Sequence, residues 1–534
     1  MFTLNRKQQV ALDHYLVHEA GITIDLLMEA AAHAILRYLI DEVDESKELI
    51  FFTGPGNNGG DAYAAARLAS GFFKHVTICE SRSAREAVGV DSPAMRMRKI
   101  CKCMNLSFER AERFKPEAQM VLIDGLLGSG FEPERGLSDE WKQVFETLNR
   151  GRNMGCQIIS IDIPSGVDAT TGAVCELAVE ADVTLSFVYP KTGVFSYPGR
   201  NYAGRIITAN LGLPRAVLQR FMQSYDEYFL RVTDEDFIRS LKWARARDGH
   251  KGLYGNGFLI AGSVEMPGAA LMAAEAALRS GIGRLRAMAD EGLAMQYMAK
   301  LPELMLRSYD EVGSELCDDV ISDLKLSEGC LIGPGLGSND SLWPLIEAAM
   351  IHCRSLILDA DALNLISMDM ERFRKLSAMR AKTQHMPVVL TPHPGEFARL
   401  APDLSEKTRL EQAESFVRKY PSILVLKGAA TVIAFPASGG ELRMYLNESG
   451  NSGLSKGGSG DVLAGLMLGL LAQRPSDWRA VVAAVYLHGR AADLLMPSLG
   501  SRSLLPQDLI ACFPELFRRL EDREFIEKEE SCND

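Results

Sequence analysis

The sequence predicts two α/β domains, each built on a parallel β-sheet that is covered by helices. Three observations predict this class. Short apolar runs typical of buried strands recur through both halves of the chain, glycine-rich or polar loops follow these runs, and helical patterns follow several of the loops. The length of 534 residues is typical of two to four domains, and 47% hydrophobic residues are enough to form full cores.

The composition excludes several function classes. The net charge of −12, from 58 basic and 70 acidic residues, predicts no basic surface for nucleic acid or an anionic membrane. The 10 cysteines show no CxxC pair and no zinc-like spacing with histidine, so we expect reduced thiols. The first residues show no signal-peptide pattern, and the longest apolar run, Val462 to Ala472, is too short to span a bilayer. The expected location is the cytoplasm.

The first elements are helical in pattern. Residues 8–39 show helical periodicity, and Gly21 divides them into two amphipathic helices. His14, His18 and His33 lie on these helices, where surface or satisfied core histidines are the expected interpretation.

A strand, a glycine loop and a helix follow. The strand is LIFFT at residues 49–53, the loop is GPGNNGGDA, and the helix is predicted at residues 63–70. This order is typical of the opening of a Rossmann-like unit, although the spacing does not match the GxGxxG fingerprint of dinucleotide binding. The loop residues are predicted to hold a phosphate through their amides, and a tight turn without a ligand is the alternative. They are Asn57, Asn58, Gly59, Gly60 and Asp61.

Two more strands of the first half end in aspartate. MVLIDGLLGSG ends in Asp124 and a second glycine loop, and QIISIDIPSG ends in Asp162 and a turn that contains Ser165. Because the carboxyl ends of parallel strands meet at one edge of a sheet, we expect these side chains and Asn58 to share a crevice. Aspartates at strand ends are also common helix caps and turn formers, which is the alternative interpretation.

The motifs GNNGGD, LIDGLLGSG, IDIPSG and YPKTG resemble the N-terminal epimerase domain of the bifunctional NAD(P)H-hydrate repair enzyme family. The resemblance implies that oxygen atoms of Asn58, Asp124 and Ser165 bind a potassium ion, a hard cation. It implies that the loop of residues 57–61 binds the hydrated dinucleotide, with Asp162 as the catalytic residue at the reacting ring and Lys191 as a further candidate. A second segment is implied in the same binding: Gly128, Ser129, Gly130, Phe131, Glu132, Pro133 and Glu134. Ala62 departs slightly from the family pattern.

A poorly patterned passage, residues 211–233, is predicted to contain the domain boundary, which gives domains 1–224 and 225–534. The second half begins with a strand at residues 258–261, a loop, and an alanine-rich helix at residues 269–280. CLIGPGLG, LILDADALNL, VVLTPHPGEFARL and ILVLKGAATVIA then each join an apolar strand to a polar or glycine-rich end, as in a parallel sheet.

Residues 451–472, NSGLSKGGSGDVLAGLMLGLLA, are predicted to form a loop and then a helix that begins near Asp461 and buries one apolar face. Gly457, Gly458 and Gly460 at the helix start allow the backbone to approach a bound anion. A carboxylate beside an anion site is expected to act on a hydroxyl that receives a phosphoryl group. The alternative is a capped core helix with a flexible entry. GGSGD followed by VLAG resembles the anion-hole signature of ribokinase-like folds.

HKG, GPGLG, LDADALN, TPHPGE, LKG and GGSGDVLAG occur in this order and resemble the C-terminal ADP- or ATP-dependent dehydratase domain of the same repair family. Taken alone, His393 is equally a turn residue, Lys427 a solvated strand-end lysine, and Lys456 either a phosphate contact or a solvated side chain. The resemblance implies that Ala269, Gly337 and His393 contact the hydrated substrate and that Asp461 contacts its hydroxyl. It implies that the adenine nucleotide, with Mg²⁺, is bound by Lys427, Gly428, Ala429, Ala430, Thr431 and Gly460.

The predicted function is therefore repair of hydrated NADH and NADPH. The first domain would interconvert the R and S hydrates, and the second would dehydrate the S epimer with ADP or ATP and release AMP or ADP and phosphate. Asp461 is expected to be kept ionised by the helix end and to orient the hydroxyl. The rival interpretations are a ribokinase-type kinase that releases a phosphorylated product and a nucleotide-binding module without chemistry. A homo-oligomer is expected, and the choice between ADP and ATP stays open.

Overall fold

The computed structural model describes residues 1–87, 89–225, 228–289, 291–308, 318–337, 342–437 and 441–531. The chain divides into two compact units. One contains Phe2–Leu230, and the other contains Arg231–Asp534 together with Met1. The prediction of α/β domains is confirmed in both units.

The first unit contains a sheet of seven described strands in the order β3-β2-β1-β4-β5-β6-β7, and every neighbouring pair is parallel. Parallel strands need crossover connections, which the helices between them supply. The strands are β1 Leu49–Thr53, β2 Val76–Glu80, β3 Ser107–Arg110, β4 Val121–Gly125, β5 Gln157–Ile161, β6 Val183–Phe187 and β7 Arg205–Ala209.

The helices of the first unit confirm the helical pattern around Gly21. The first one begins after Asn5, whose side chain accepts a hydrogen bond from the Gln8 amide, and the second begins after the cap Thr23. The helices are α1 Arg6–His18, α2 Ile24–Glu42, α3 Asn57–Ala69, α4 Arg82–Glu86, α5 Pro93–Cys103, α6 Asp139–Asn153 and α7 Arg215–Ser224.

The second unit contains a sheet of ten described strands in the order β11-β10-β9-β12-β13-β14-β15-β16-β17-β8. It is parallel except where β15, β16 and β17 pair in antiparallel fashion. The strands are β8 Arg231–Thr233, β9 Asn256–Ile260, β10 Arg284–Ala289, β11 Met305–Ser308, β12 Gly329–Ile332, β13 Ser355–Leu358, β14 Val389–Leu390, β15 Ile423–Leu426, β16 Thr431–Pro436 and β17 Leu442–Asn447.

Helices cover this sheet. They are α8 Glu235–Arg239, α9 Pro267–Arg279, α10 Ala294–Lys300, α11 Asp318–Leu326, α12 Trp343–His352, α13 Asp361–Met368, α14 Met370–Arg380, α15 Pro394–Leu400, α16 Arg409–Lys419, α17 Ser459–Gln473, α18 Arg479–Ser503 and α19 Pro506–Ser531. The predicted burial of one face of α17 is wrong, because every residue from Val462 to Ala472 is buried. This helix carries small residues where it crosses α9, and a Cβ on Gly465 would stand 2.1 Å from the Ala273 carbonyl oxygen. It is therefore a central helix of the unit.

Two further sequence expectations concern cysteines and membranes. Eight cysteines in the described ranges are free thiols, while Cys317 and Cys532 lie outside those ranges. Within the described ranges, none of the helices combines the length and apolar character needed to cross a membrane.

Candidate functional sites

The crevice of the first unit lies between β1 and β4. These strands are neighbours in the sheet, and the chain moves outward in one direction after β1 and in the other direction after β4. Loops at the carboxyl ends of such strands separate and leave a binding crevice. Asp124 lies near the end of β4, and Asp162 directly follows β5. The sheet therefore places the predicted residues at the same edge.

The predicted loop of residues 57–61 is instead the first turn of α3, so the predicted helix start at Tyr63 is wrong. Gly56 in an extended conformation precedes the helix and offers no side-chain cap. Asparagine and glycine have low helix propensity, but burial of Asn58, Gly59 and Gly60 overrides this preference. The amides of residues 57–61 therefore belong to a helix N-terminus. A helix N-terminus favours anion binding, as was expected of the predicted loop.

Asn58, Asp124 and Ser165 meet around the backbone of Leu127. The Asn58 side-chain amide donates to the Leu127 carbonyl oxygen at 3.1 Å, and the Leu127 amide donates to Ser165 Oγ at 2.8 Å. Ser165 Oγ in turn donates to Asp124 Oδ1 at 2.6 Å. Asn58 Oδ1 is buried and has no hydrogen-bond partner in the described structure. The cluster thus contains an unsatisfied buried oxygen on Asn58, and the Leu127 backbone and Ser165 connect that residue to the Asp124 carboxylate.

The Asp124 carboxylate is completely buried but well satisfied. Burial raises its pKa, and hydrogen bonds from Ser165 and Ser160 oppose this rise. No arginine or lysine in the described ranges forms a salt bridge with it. A cation beside Asp124 would offset the cost of burying its charge.

Asp162 forms an ion pair with Lys191. The Lys191 side chain is almost fully buried, with 1% of its surface exposed, and its ammonium donates to Asp162 Oδ1. Asp162 has a φ of 66°, a left-handed conformation that is uncommon outside glycine. Its backbone is held there by hydrogen bonds with β6, including one from Ser186 Oγ to the Asp162 carbonyl at 2.8 Å. The strained backbone therefore aims the carboxylate at a buried ammonium.

Two more carboxylates, Asp61 and Asp13, interact electrostatically with this ion pair. Burial, reinforced by the charges of Asp162 and Asp13, raises the pKa of Asp61 well above its ordinary value. Burial also raises the pKa of Asp13 to about 6, although Lys191 opposes the rise and solvent reaches the side chain. Four ionisable groups thus share one crevice. Sequence reasoning missed Asp13, because an aspartate on an amphipathic helix carries no signal of its own.

The segment from Gly128 to Glu134 forms an irregular loop at the rim, and Gly130 and Glu134 are exposed. Arg6, the first residue of α1, holds this loop. Its guanidinium donates to the carbonyl oxygens of Ser129, at 3.2 Å, and of Phe131, and it pairs with Glu132 at 3.1 Å. The loop is therefore positioned by the N-terminal helix, which the sequence alone did not indicate.

The crevice of the second unit lies between β9 and β12, where the strand order again reverses. Ala269 is the third residue of α9, which follows β9, and Gly337 follows β12. A Cβ on Gly335 would stand 2.9 Å from the Ala269 Cβ, so the two segments are in close contact. The Gly337 amide donates to Asp361 Oδ2 at 2.8 Å. The structure therefore brings the predicted substrate residues Ala269 and Gly337 to one edge.

The amino end of α17 faces Lys427. Gly458 precedes the helix with a φ of 97°, a left-handed conformation that glycine adopts without strain, and it provides no side-chain cap. A Cβ on Gly460 would stand 3.4 Å from Lys427 Nζ. Asp461 is the third residue of the same helix. A helix N-terminus, an ammonium and a carboxylate thus lie side by side.

Lys427 is surrounded by carboxylates from other elements. Its Nζ lies 2.9 Å from Asp359 Oδ1 and 3.9 Å from Glu396 Oε2, and both acids are buried. Thr391 Oγ1 donates to the same Asp359 oxygen at 2.8 Å. Gly333, with a φ of 134°, allows the loop after β12 to approach, because a Cβ there would stand 1.8 Å from the Asp359 carbonyl oxygen.

These charges set the protonation of Asp461. Burial and the charge of Asp359 raise its pKa to about 6, while Lys427 opposes the rise. We expected the helix end to keep Asp461 ionised; burial and the charge of Asp359 raise its pKa against that effect, so Asp461 is a weaker acid than an ordinary aspartate but is still ionised at neutral pH. For Lys427, burial opposes the charged form, but the attraction of Asp359 and Glu396 outweighs burial and raises the pKa.

His393 caps α15 and is half exposed. Its Nδ1 accepts hydrogen bonds from the amides of Gly395, at 3.0 Å, and Glu396, at 3.3 Å, while Glu396 Oε2 accepts from the His393 amide at 2.7 Å. Accepting two amides leaves the proton of a neutral ring on Nε2. His393 therefore presents a donor toward solvent and Glu396.

The predicted nucleotide segment forms the turn between β15 and β16. The turn contains Gly428, Ala429 and Ala430, and Thr431 Oγ1 closes it by donating to the Gly428 carbonyl at 3.1 Å. Lys456, which the sequence left open, donates to the Arg502 carbonyl oxygen at 2.6 Å.

Three acids of the second site carried no individual prediction. They are Asp359, Asp361 and Glu396. All three belong to the motifs LDADALN and TPHPGE, which the sequence places after predicted strands. Their grouping depends on strand neighbours, because β13, β14 and β15 are adjacent in the sheet.

Comparison with known proteins agrees with this organisation. Residues 24–193 match the family model described as YjeF-related protein N-terminus, and residues 258–515 match the model described as NAD(P)H-hydrate dehydratase. The bifunctional NAD(P)H-hydrate repair enzyme Nnr of Coxiella burnetii is 33% identical, over 97% of this chain and 99% of the relative. That of Escherichia coli is 30% identical, over 92% of this chain and 89% of the relative.

Solved structures were also compared. An ADP/ATP-dependent NAD(P)H-hydrate dehydratase from Bacillus subtilis, co-crystallized with ATP/Mg²⁺, shares 34% identity with a TM-score of 0.46 and covers 55% of this chain and 99% of its own. A ribokinase-like superfamily protein from Enterococcus faecalis shares 28% identity with a TM-score of 0.48, and the match covers 55% of this chain and 99% of that protein. The full-length relatives and the two family models show that this chain belongs to the family of bifunctional NAD(P)H-hydrate repair enzymes.

Proposed function

We propose that this chain restores hydrated NADH and NADPH in two steps. Residues 1–224 form the epimerase domain and interconvert the R and S hydrates. Residues 225–534 form the dehydratase domain and return the S hydrate to NAD(P)H, using ADP or ATP as the phosphoryl donor. One observation carries the proposal: Asp461, with a pKa raised to about 6, stands at an uncapped helix N-terminus beside Lys427.

This arrangement suits phosphoryl transfer to a hydroxyl. Asp461 is ionised at neutral pH yet basic enough to accept the proton of the substrate hydroxyl as that oxygen bonds to phosphorus. The amides of the first turn of α17 and the Lys427 ammonium offset charge on the transferring group. The phosphorylated intermediate then loses phosphate and a ring proton, because phosphate leaves far more readily than hydroxide. Nicotinamide conjugation is restored in that step.

The donor nucleotide is proposed to lie along the turn from Lys427 to Thr431 and to bring Mg²⁺. Magnesium in such sites is held mainly by phosphates, with one or two protein carboxylates. Asp359 and Glu396 fit that requirement, since both are buried acids in contact with Lys427. When bound, the ion neutralises phosphate charge.

A potassium ion is proposed to bind in the first domain. Potassium is a hard cation that prefers oxygen ligands. Hydrogen bonds through Leu127 connect Asn58 and Ser165, and Ser165 Oγ donates to the Asp124 carboxylate, while Asn58 Oδ1 is buried and has no partner among the described residues. A cation bound here would satisfy that oxygen and offset the buried charge of Asp124.

For epimerisation we assign the acid and base role to Asp162, held by Lys191. As the ring nitrogen lone pair forms a double bond to carbon 6, the acid protonates the departing hydroxyl, and the base then removes a proton from the water that adds to the opposite face. Asp13 and Asp61 lie in the same charge cluster. The pKa of Asp13, raised to about 6, suits a group that exchanges protons near neutral pH.

The test uses purified full-length protein and a mixed-epimer NADPH hydrate, with ADP, ATP or no nucleotide. Recovery is followed by the near-ultraviolet absorbance of reduced nicotinamide. Wild type is expected to recover both epimers when nucleotide is present. Asp461→Asn should abolish recovery of NADPH. Asp162→Asn should limit recovery to the fraction that starts as the S hydrate, plus the R hydrate that epimerises slowly without the enzyme. Release of a stable phosphorylated product would instead support a ribokinase-type kinase.

A cytoplasmic location and a homo-oligomeric state complete the proposal. Gel filtration with light scattering tests the second point, and a monomer at micromolar concentration would refute it.

A further inference from the structure

Arg409 is a cation for which no counter-ion exists among the described residues. It is the first residue of α16, and its Nη2 donates to the carbonyl oxygens of Leu426, at 2.7 Å, and Lys427, at 3.1 Å. Its Nε is buried without a hydrogen-bond partner, and no carboxylate in the described ranges pairs with it. Within the described ranges, two carbonyl oxygens thus accept hydrogen bonds from a group that has five N–H donors.

The position of Arg409 makes this unpaired charge costly. Removal from water disfavours the charged form and lowers its pKa, and no acid opposes that effect. Arg409 is also the first residue of α16, and cations are less favourable near a helix N-terminus than near its C-terminus. Other buried cations of this unit have partners: Lys427 is paired with acids, and Arg380 donates to four carbonyl oxygens.

The guanidinium lies directly against the proposed nucleotide segment. A Cβ built on Gly428 would stand 2.7 Å from Arg409 Nη2 and 3.1 Å from Nη1. A side chain at this position would therefore displace the guanidinium, and glycine lets the turn approach it closely. Nη1 donates to no described residue, although it is a charged double donor of the kind that binds phosphate in bidentate fashion.

We propose that Arg409 binds a phosphate group of the adenine nucleotide and that this anion is its missing counter-ion. The inference rests on the proposed dehydratase function and adds a phosphate contact to it. In the same place Arg409 fixes the main chain of Lys427, because its Nη2 holds the carbonyl oxygens at the end of β15. Nucleotide phosphates therefore connect the donor segment to the cluster of Lys427 and Asp359.

The test measures binding of adenosine, ADP and ATP to the full chain by isothermal titration calorimetry. It compares wild type with Arg409→Met and Arg409→Lys. Arg418→Met is the matched control, since Arg418 lies on the same helix, is exposed and pairs with Glu414. Loss of a hydrogen-bonded charge from a phosphate should weaken ADP and ATP binding by about 10- to 100-fold. Adenosine binding should stay within about twofold of wild type, and Arg409→Lys should restore part of the loss.

Two results would overturn the inference. Equal weakening of adenosine and ADP binding would assign Arg409 a purely structural role through the two carbonyl oxygens. Unchanged ADP binding in Arg409→Met would exclude the contact. Failure of wild type to recover NADPH from the hydrate would refute the dehydratase function but leave the ratio of ADP to adenosine affinity measurable, so the two failures are distinguishable.

Discussion

Asn in place of Asp461 should make the protein more stable at neutral pH while it removes dehydratase activity. The pKa of Asp461 rises from 3.8 to about 6 on folding, mainly through burial. Below the unfolded pKa both states are protonated, and between the two values only the unfolded state ionises, so stability falls as the pH rises. The difference of about 2 pH units corresponds to a loss of about 3 kcal/mol in the free energy of unfolding, and this loss is complete above about pH 6. We expect Asp461→Asn to recover about 1 to 3 kcal/mol above about pH 7.

The assay is urea unfolding followed by tryptophan fluorescence in a Trp141→Phe background. The other three of the 4 tryptophans, Trp243, Trp343 and Trp478, all belong to the second unit, so the signal reports that unit. Activity is followed through NADPH recovery and should fall by at least about a hundredfold.

Asp508→Asn is the control, because Asp508 occupies the same third position in α19 but caps the helix by accepting from the Leu505 amide at 2.8 Å. It should lower stability by about 0.5 to 1 kcal/mol. The reasoning is refuted if Asp461→Asn is no more stable than wild type at about pH 8, or if its gain is as large at about pH 4.

Three other predictions concern both sites. Because Asp461 must be ionised to accept the hydroxyl proton, kcat/KM of the dehydratase should fall about tenfold per pH unit below about pH 6; a flat profile down to about pH 5 would contradict this role. Asn58→Leu removes the unsatisfied oxygen, so the potassium concentration for half-maximal epimerase activity should rise by at least about tenfold, whereas sodium should substitute in neither protein. Lys427→Met leaves Asp359 and Glu396 buried without their cation and should destabilise the second unit by about 3 to 5 kcal/mol, measured by the same urea assay; an unchanged midpoint would show that both acids are protonated in the variant.

Much of the first site could be predicted from strand order. Asp124 and Asp162 end consecutive buried strands, and parallel strands bring their carboxyl ends to one edge, so their proximity follows from the pattern. The predicted start of α3 was six residues too late, because the low-propensity residues at 57–60 are helical through burial in the folded unit. Asp13 joins the crevice from a helix distant in sequence, and no local pattern indicates that.

In the second site the sequence indicated the glycines and Asp461, but it did not indicate which charged side chains surround Asp461. Asp461 and Gly458 are neighbours in the chain, so a helix with an anion-binding end could be predicted from them. Lys427, Asp359 and Glu396 come from three different strand ends. Their mutual distances, and with them the raised pKa of Asp461, depend on the order of strands in the sheet.

The sequence by itself therefore determined the α/β class, the motifs of the repair family and the residues that we propose for the two sites. Only the tertiary structure decided which charges meet and that Asp461 is a weaker acid than its helix position suggests. It also decided that, among the described residues, Asn58 Oδ1 has no hydrogen-bond partner and Arg409 has no counter-ion. Periodicity and turn chemistry are local properties of the chain. Burial and Coulomb interactions depend on distances between segments far apart in sequence, which exist only after folding.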